Sequence, residues 1–399
     1  MLRVQRSLSH AVWRRAITAL ALAGSLGWSS GARAVELGEE GDVKSVEIHV
    51  FVSQGFILTK DNNYLAEDTK HGSFQFSEVG INFTKPLTQS LRLGLQLFAQ
   101  DLGPTGNYTP KVDWFYLDYR WKDWLGIRAG RVKIPFGLYN EINDVDSARV
   151  PILLPQSIYP LENTNYLLAQ TGAEVYGYVK LGGAGALDYG LYGGTILVDT
   201  LVPPGSPYQV QDLNVPYVVG GRVLWETPVP GLRAGGSLQS LRLDATLLAG
   251  GKSAKIELPA TLWVASVEYS AHELTLAAEY SRWYVSDSSS NTSIVPSSPT
   301  VTSERGYALA SFRAANWFSP GVYYALMFPD VNKRKGRENL QHDVATTLRF
   351  DINRYWLIKL EGHFMSGTAE LSPSLNDNVP IAKLPENWGV FLMKTTAYF

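Results

Sequence analysis

The sequence predicts an all-β protein whose antiparallel strands close into a barrel that spans a membrane. Three observations support this fold class. Apolar and polar side chains alternate in segments of roughly 9–12 residues, long enough to cross a bilayer as tilted strands. The connections between these segments are alternately short and long. The tryptophans outside the first 34 residues stand near the ends of segments, not at their centres.

The first 34 residues have the features of a cleaved secretory signal. Four arginines within the first fifteen residues precede the apolar run AITALALAGSLGW, and an A-x-A site ends at Ala34. The apolar run is shorter than the ~20 residues that a transmembrane helix needs. We therefore expect residues 1–34 to be a signal peptide and residues 35–399 to be the exported barrel.

Composition excludes several classes of function. The signal segment holds five of the 35 basic residues and none of the 37 acidic ones, so the exported chain has 30 basic residues and a formal charge of −7. A nucleic-acid partner is not expected, because such proteins are usually basic. The chain has no cysteine, its histidines are scattered, and no G-x-S-x-G motif occurs. We predict no metal site, no cofactor and no enzymatic activity.

Sixteen segments carry the alternation expected of strands, with eighteen strands as the alternative count. In SLRLGLQLFAQD, for example, Leu91, Leu93, Leu95 and Leu97 share one face. The predicted strands lie near residues 47–57, 74–84, 91–101, 112–121, 124–131, 173–181, 186–198, 215–226, 231–242, 261–270, 273–285, 304–313, 317–328, 341–351, 354–366 and 387–399.

The connections after even-numbered segments are short, such as KD, AHE and IN, whereas those after odd-numbered segments are mostly long. The region around LLAGGKSAKIELPA counts among the predicted long loops. Short periplasmic turns and long external loops are typical of bacterial outer-membrane barrels. Five tryptophans adjoin short turns and four stand at the loop ends of strands, as expected for aromatic girdles at two membrane interfaces. These tryptophans are Trp121, Trp124, Trp225, Trp317 and Trp356, then Trp114, Trp263, Trp283 and Trp388.

The alternation also predicts which face points outward. A charge on the lipid face costs about 2–4 kcal/mol at the membrane midplane, so the apolar parity should face lipid and the charged parity should line the interior. Sixteen strands enclose enough space for an aqueous channel. An interior filled by paired charges is the alternative. The predicted basic residues of the pore wall are Arg92, Arg120, Arg128, Lys180 and Arg222.

Residues 132–172 form a predicted third long loop that folds inward and narrows the pore. Prolines stiffen it, and a stiff loop can hold charges at fixed positions. Its predicted constriction residues are Glu141, Asp144, Asp146 and Arg149, with the acids facing Arg92, Arg120 and Arg128. A solvated surface loop and a latch onto a neighbouring protomer are the alternatives.

The stretch GRVKIPFGLYNEINDVDSARVPILLPQSIYP, residues 130–160, resembles the third loop of Gram-negative porins. It is similar to a porin group related to the phosphate-selective porin O/P family, where G-R-x-K-x-P-F-G-L-Y-N-E leads into an acidic and then an Arg-Pro segment. That resemblance implies a channel, and trimerisation would follow from it. Phosphate selectivity does not carry over, because the sequence lacks a run of closely spaced arginines.

The C-terminal strand WGVFLMKTTAYF ends in Phe399. It resembles the terminal signature that the barrel-assembly machinery of Gram-negative bacteria recognises. We therefore expect an outer-membrane porin, surrounded by lipid and lipopolysaccharide, that lets small hydrophilic solutes or ions diffuse passively. A substrate-selective channel or receptor for an anion, organic acid or oligosaccharide is the first alternative. A soluble secreted β-rich binding protein is the second.

Overall fold

The computed structural model describes residues 35–37, 45–103, 106–161, 169–198, 209–293, 295 and 300–399. The predicted signal segment lies outside these residues. Within the described part of the chain, no helix is long and apolar enough to cross a membrane.

Sixteen antiparallel strands form one sheet that closes on itself. They are β1 Val46–Lys60, β2 Ser77–Pro86, β3 Leu91–Asp101, β4 Lys111–Lys122, β5 Leu125–Lys133, β6 Ala169–Lys180, β7 Ala186–Ile196, β8 Gln209–Glu226, β9 Leu232–Ala249, β10 Lys252–Ala271, β11 Leu274–Val285, β12 Val301–Phe312, β13 Phe318–Phe328, β14 Gln341–Asn353, β15 Trp356–Gly367 and β16 Asn387–Tyr398.

Each of these strands pairs with its neighbours in sequence, and β16 pairs with β1, from Tyr398 opposite Phe51 to Gly389 opposite Lys60. Closure gives every strand of the barrel a hydrogen-bonded neighbour on each side. Two further short strands add to the barrel without widening it: Val35–Leu37 pairs with the start of β1, and Ser288–Ser289 pairs with β10. The predicted count of sixteen is therefore confirmed, and the alternative count of eighteen is not.

The connections alternate in length as predicted, with one exception. Gly250 and Gly251, with φ of +57° and +75°, form a two-residue turn between β9 and β10. Such turns need residues that tolerate positive φ. The strands remain paired beyond the turn, from Ala249 opposite Lys252 to Leu243 opposite Leu258. The predicted long loop in this region is thus wrong, since its residues extend two strands.

The two faces of the barrel differ as the alternation predicts. On β15 the inward side chains of Lys359, Glu361 and His363 are at most 2% exposed, whereas the outward Phe364 is 76% exposed. The same contrast holds on the other strands, where exposed large apolar side chains point outward. The barrel thus presents an apolar exterior and a charged interior, which confirms the predicted orientation.

The tryptophans confirm the predicted girdles only in part. The five at the short turns are exposed, as expected at a membrane interface. At the other end of the barrel, Trp388 is buried, and its ring centroid lies 5.1 Å from that of Tyr64. Trp388 therefore packs inside the long-loop end of the barrel and does not belong to the outer girdle.

The outward position of Val322, near the middle of β13, provides a test of the lipid-facing surface. Val322 is well exposed and lies opposite Ala310 and Thr346 on the neighbouring strands. We expect Val322→Arg to lower the free energy of unfolding in lipid vesicles by about 2–4 kcal/mol, because the charge would face hydrocarbon. Val322→Leu, the matched control, should leave it nearly unchanged. Equal stability of both variants in urea titrations would contradict the assignment.

Candidate functional site

A long loop leaves β5 and returns to β6. We name its described part, residues 134–161, the β5–β6 loop. The loop begins with Ile134 and Phe136, which are fully buried against side chains of β7–β10. Gly137 follows with φ of +62°, and a Cβ atom at this position would lie 2.5 Å from the Tyr159 hydroxyl. Glycine is therefore required here by both conformation and space.

Glu279 of β11 is the first anchor of this loop. Its buried carboxylate accepts hydrogen bonds from the backbone N–H of Leu138, at 3.0 Å, and from the hydroxyl of Tyr159. Ser266 and Tyr307 on the neighbouring strands donate to the same carboxylate. Burial and the nearby Glu279 charge raise the pKa of Tyr159 well above its ordinary value, so this hydroxyl remains a donor.

Glu361 of β15 is the second anchor. Its carboxylate accepts the backbone N–H groups of Ile152 and Leu153 at 2.7 and 2.9 Å. The hydroxyl of Thr347 donates to the same group, and Nε2 of His363 lies 3.1 Å from it. Irregular backbone needs partners when it is buried, and this wall residue satisfies two consecutive N–H groups of the loop.

In the third anchor the carboxylate belongs to the loop, at Asp146, and its partners belong to the barrel strands. Nζ of Lys359 and Nζ of Lys394 each lie 3.2 Å from one of its oxygens, and the Thr396 hydroxyl donates at 2.6 Å. Burial alone would raise the pKa of Asp146, but Lys359, Lys394 and Arg149 together hold it well below its ordinary range. The Asp146 carboxylate is therefore ionised between two buried ammonium groups.

A row of alternating charges lies on the inner faces of β3–β6. Nε of Arg92 lies 2.8 Å from Asp118, and Nε of Arg128 lies 3.6 Å from the same carboxylate. Arg128 also pairs with Glu174 at 3.1 Å. Its guanidinium carbon lies 4.1 Å from the ring centroid of Tyr176, a cation–π contact. We name this set of residues the arginine row.

Two loop acids pair with the same side of the barrel. Glu141 lies 2.7 Å from Arg222 of β8. Asp144 pairs with Lys133, at the end of β5, and accepts a hydrogen bond from Gln96 of β3 at 2.6 Å. Burial would raise the pKa of Asp144, but the Lys133 ammonium group and the Gln96 hydrogen bond lower it. Both acids are therefore held by partners on the wall.

The structure brings the predicted site residues together only in part. Arg92 and Arg128 share Asp118, and Glu141 meets Arg222. The ion pairs of the loop acids described above are with Arg222, Lys133, Lys359, Lys394 and Arg149, and not with Arg92, Arg120 or Arg128. Arg149 lies 3.5 Å from Asp146. Two predicted wall residues lie exposed at the short-turn ends of their strands, namely Arg120 and Lys180.

Arg149 of the β5–β6 loop lines two cavities. One has a volume of about 490 Å³ and includes Arg233 and Glu268 in its wall. The other has about 60 Å³ and includes Lys133 and Asp144. Charged side chains therefore line cavities on both sides of the loop that are large enough to hold water.

The alternation along β15 and β16 places Lys359, Glu361 and Lys394 on the inner face, but it does not predict their role as anchors. A signal for it exists, because a charged side chain on the inward face of a strand needs a partner. The β5–β6 loop supplies both acids and free backbone N–H groups. Which loop group meets which strand depends on the relative depth of the strands, and alternation does not give depth.

No family model matches the chain, and no curated protein matches it. Several solved structures do match the chain. An outer-membrane-expressed OmpT of Vibrio cholerae is 10% identical, with a TM-score of 0.57, and the match covers 90% of this chain and 99% of that one. An OmpF of Salmonella typhi in complex with daunomycin is 11% identical, with a TM-score of 0.56, and the match covers 92% and 100%.

An anion-selective porin from Comamonas acidovorans is 12% identical, with a TM-score of 0.54, and the match covers 89% of this chain and 99% of that one. Likeness at such low identity concerns the fold. The chain thus has the closed barrel fold of bacterial outer-membrane porins.

Asp146→Asn tests the third anchor. The change leaves Lys359 and Lys394 facing each other without their shared anion, and breaking a buried ion pair costs about 3–5 kcal/mol. We expect a loss of this size in the free energy of unfolding and faster proteolysis within the β5–β6 loop. The control is Glu273→Gln, which breaks an exposed pair with Arg313 worth about 0–1 kcal/mol. Equal losses in the two variants would contradict the anchor.

The stability gained from Asp146 should also depend on pH. Folding lowers the pKa of this carboxyl, so its contribution is complete above the unfolded-state pKa of about 3.9 and is lost as pH falls through the lower folded value. The stability difference between the unmodified chain and Asp146→Asn should narrow as the pH falls from about 5 to below about 4. Chemical denaturation across this range measures it. A difference that grows as the pH falls below 4 would show that the sign is wrong.

Proposed function

We propose that this protein is an outer-membrane porin through which small hydrophilic solutes or ions diffuse passively. The observation that carries the proposal is the closed sixteen-stranded barrel with apolar side chains outside and charged side chains inside. A barrel of this size is wide enough for an aqueous channel. Passive diffusion needs no further chemistry, and the charged inner wall keeps such a channel hydrated.

The β5–β6 loop is the proposed constriction. In support of this, three buried anchors tie it to the inner faces of β11, β15 and β16. Glu141 and Asp144 reach the opposite side of the interior, where they meet Arg222 and Lys133. The proposed constriction residues are therefore Glu141, Asp144 and Arg149 on the loop, and the proposed wall is the arginine row with Arg222.

The ion preference of this channel should be weak. Cations and carboxylates alternate along the proposed wall, from Arg92 through Asp118 and Arg128 to Glu174. A ring of one sign would select ions strongly, whereas paired charges offer little net field. A channel selective for an anion, an organic acid or an oligosaccharide, as a relationship to the phosphate-selective porin O/P group would imply, is the second candidate. It rests on the similarity of residues 130–160.

The proposed location is the bacterial outer membrane, with lipid and lipopolysaccharide against the apolar exterior. Phe399, the proposed signal for the barrel-assembly machinery, pairs through its backbone N–H and C=O with Val50 of β1, both at 3.0 Å. The terminal residue thus takes part in closing the sheet. A homotrimer is the proposed assembly, and the Vibrio cholerae OmpT folded in vitro is recorded in a trimer form.

Planar-bilayer recording of the purified protein tests the proposed function. We expect stepwise insertions with a linear current–voltage relation, because a passive aqueous path conducts in proportion to voltage. Heat-modifiable mobility in gels should confirm that the inserted protein is a folded barrel. A folded barrel that gives no conductance steps would rule out the channel.

Asp144→Asn tests the constriction, because it removes an anion from the narrowed part of the channel. In a KCl gradient the reversal potential should shift toward greater anion permeability. Asp61→Asn is the matched control, since Asp61 is exposed in another loop at a positive φ that asparagine tolerates. Identical reversal potentials for Asp144→Asn and the unmodified chain would show that Asp144 lies away from the ion path.

A further inference from the structure

Three loops at the long-loop end of the barrel pack against one another. They are the β5–β6 loop, residues 61–76 between β1 and β2, and residues 368–386 between β15 and β16, which we name together the three-loop cluster. Burying their apolar side chains together stabilises the arrangement. The buried apolar side chains that the loops share are Tyr64, Leu65, Ile152, Leu153, Leu371 and Leu384.

Hydrogen bonds join the loop of residues 61–76 directly to the loop of residues 368–386. The backbone N–H of Asn63 donates to Oδ1 of Asn376 at 2.8 Å, and Nδ2 of Asn376 donates to the carbonyl of Asn63 at 3.0 Å. Nδ2 of Asn63 reaches the carbonyl of Leu375, and Nδ2 of Asn62 reaches that of Pro385. Such reciprocal, buried hydrogen bonds fix the two loops to each other.

The cluster makes the two sides of the barrel unequal. Inward-facing residues of β15, from Leu357 to Met365, and of β16, from Trp388 to Thr396, are all 4% exposed or less. On β4–β6, by contrast, the inward-facing Tyr116, Arg128 and Tyr176 are half-buried. On β7, the side chain of Asp188 is 46% exposed. In the short-turn half of the barrel, water therefore reaches inward side chains on β4–β7 and is excluded from those of β15 and β16.

We propose that the three-loop cluster closes the half of the barrel along β14–β16 and β1, and that the conducting path runs off centre along β4–β6, past the short-turn end of β7. This inference rests on the proposed channel function and specifies its path. The wall that a solute meets is then the arginine row and its tyrosines. The lysines of β15 and β16 hold the loop and stay out of the path. The loops on both sides of the β5–β6 loop become positioning elements of the constriction.

The chain has no cysteine, so single cysteines report the accessibility of each wall without background. Tyr116→Cys and Asp188→Cys place a thiol on the proposed path. Ser53→Cys and Thr347→Cys place one on the closed side, where both native side chains are at most 2% exposed. A charged methanethiosulfonate reagent is added to each folded variant, and modification is followed by mass and, in bilayers, by current.

We expect the thiols at positions 116 and 188 to react at least tenfold faster than those at 53 and 347, with a fall in current on modification. Equal rates on both sides, or faster reaction on the β1 and β14 side, would overturn the off-centre path. The mass readout in micelles does not depend on conductance. A folded barrel that carries no current would therefore refute the channel. The pattern of thiol reactivity shows separately which side of the interior is filled with water.

Two further variants guard against a local folding defect. Arg128→Cys repeats the test on the path, and Leu357→Cys repeats it on a second fully buried inward position of the closed side, on β15. Heat-modifiable gel mobility selects the variants that fold. If Leu357→Cys reacts as fast as Arg128→Cys, the proposal fails, because the closed side would then be open to water.

Discussion

The ion pairs between Asp146 and two buried lysines, Lys359 and Lys394, fix the middle of the β5–β6 loop, and the arrangement of the interior depends on them. A buried ammonium group without a partner costs several kcal/mol. The loop therefore supplies the anion that the wall needs. Glu279 and Glu361 show the reverse dependence, because their carboxylates satisfy backbone N–H groups of the loop that would otherwise be buried without partners. Barrel and loop thus satisfy each other's polar groups.

This mutual dependence explains why the interior is uneven. The anchors on β15 and β16 draw the loop to one side, and the loops next to it in space pack onto its apolar residues Ile152 and Leu153. On the opposite side, Arg92 and Arg128 pair with buried carboxylates along the wall and remain partly open to water themselves. One barrel therefore combines a packed, water-excluding half with a polar half, and the proposed transport belongs to the polar half.

Much of the fold could be predicted from the sequence, because each strand lies between an apolar and a polar environment. Its side chains alternate in polarity according to the environment that they face. This alternation predicted the sixteen strands, the outward orientation of residues such as Phe364 and the inward orientation of Lys359. The alternation did not predict the hairpin around Gly250 and Gly251, whose strands continue through polar residues. It also did not predict that Trp388 is buried by another loop. The partners of Asp146 could not be predicted, because strand depth and the path of a loop depend on contacts between residues distant in sequence.

We propose that a water-filled path crosses the barrel and is narrowed by the anchored loop. The most direct test of this proposal is the conductance of single channels in the presence of neutral polyethylene glycols of graded size. Polymers small enough to enter should lower the conductance, and polymers above a sharp size limit should leave it as in plain salt solution. A measurable conductance that falls equally with polymers of every size would contradict a narrow constriction, and the absence of conductance would contradict the path itself.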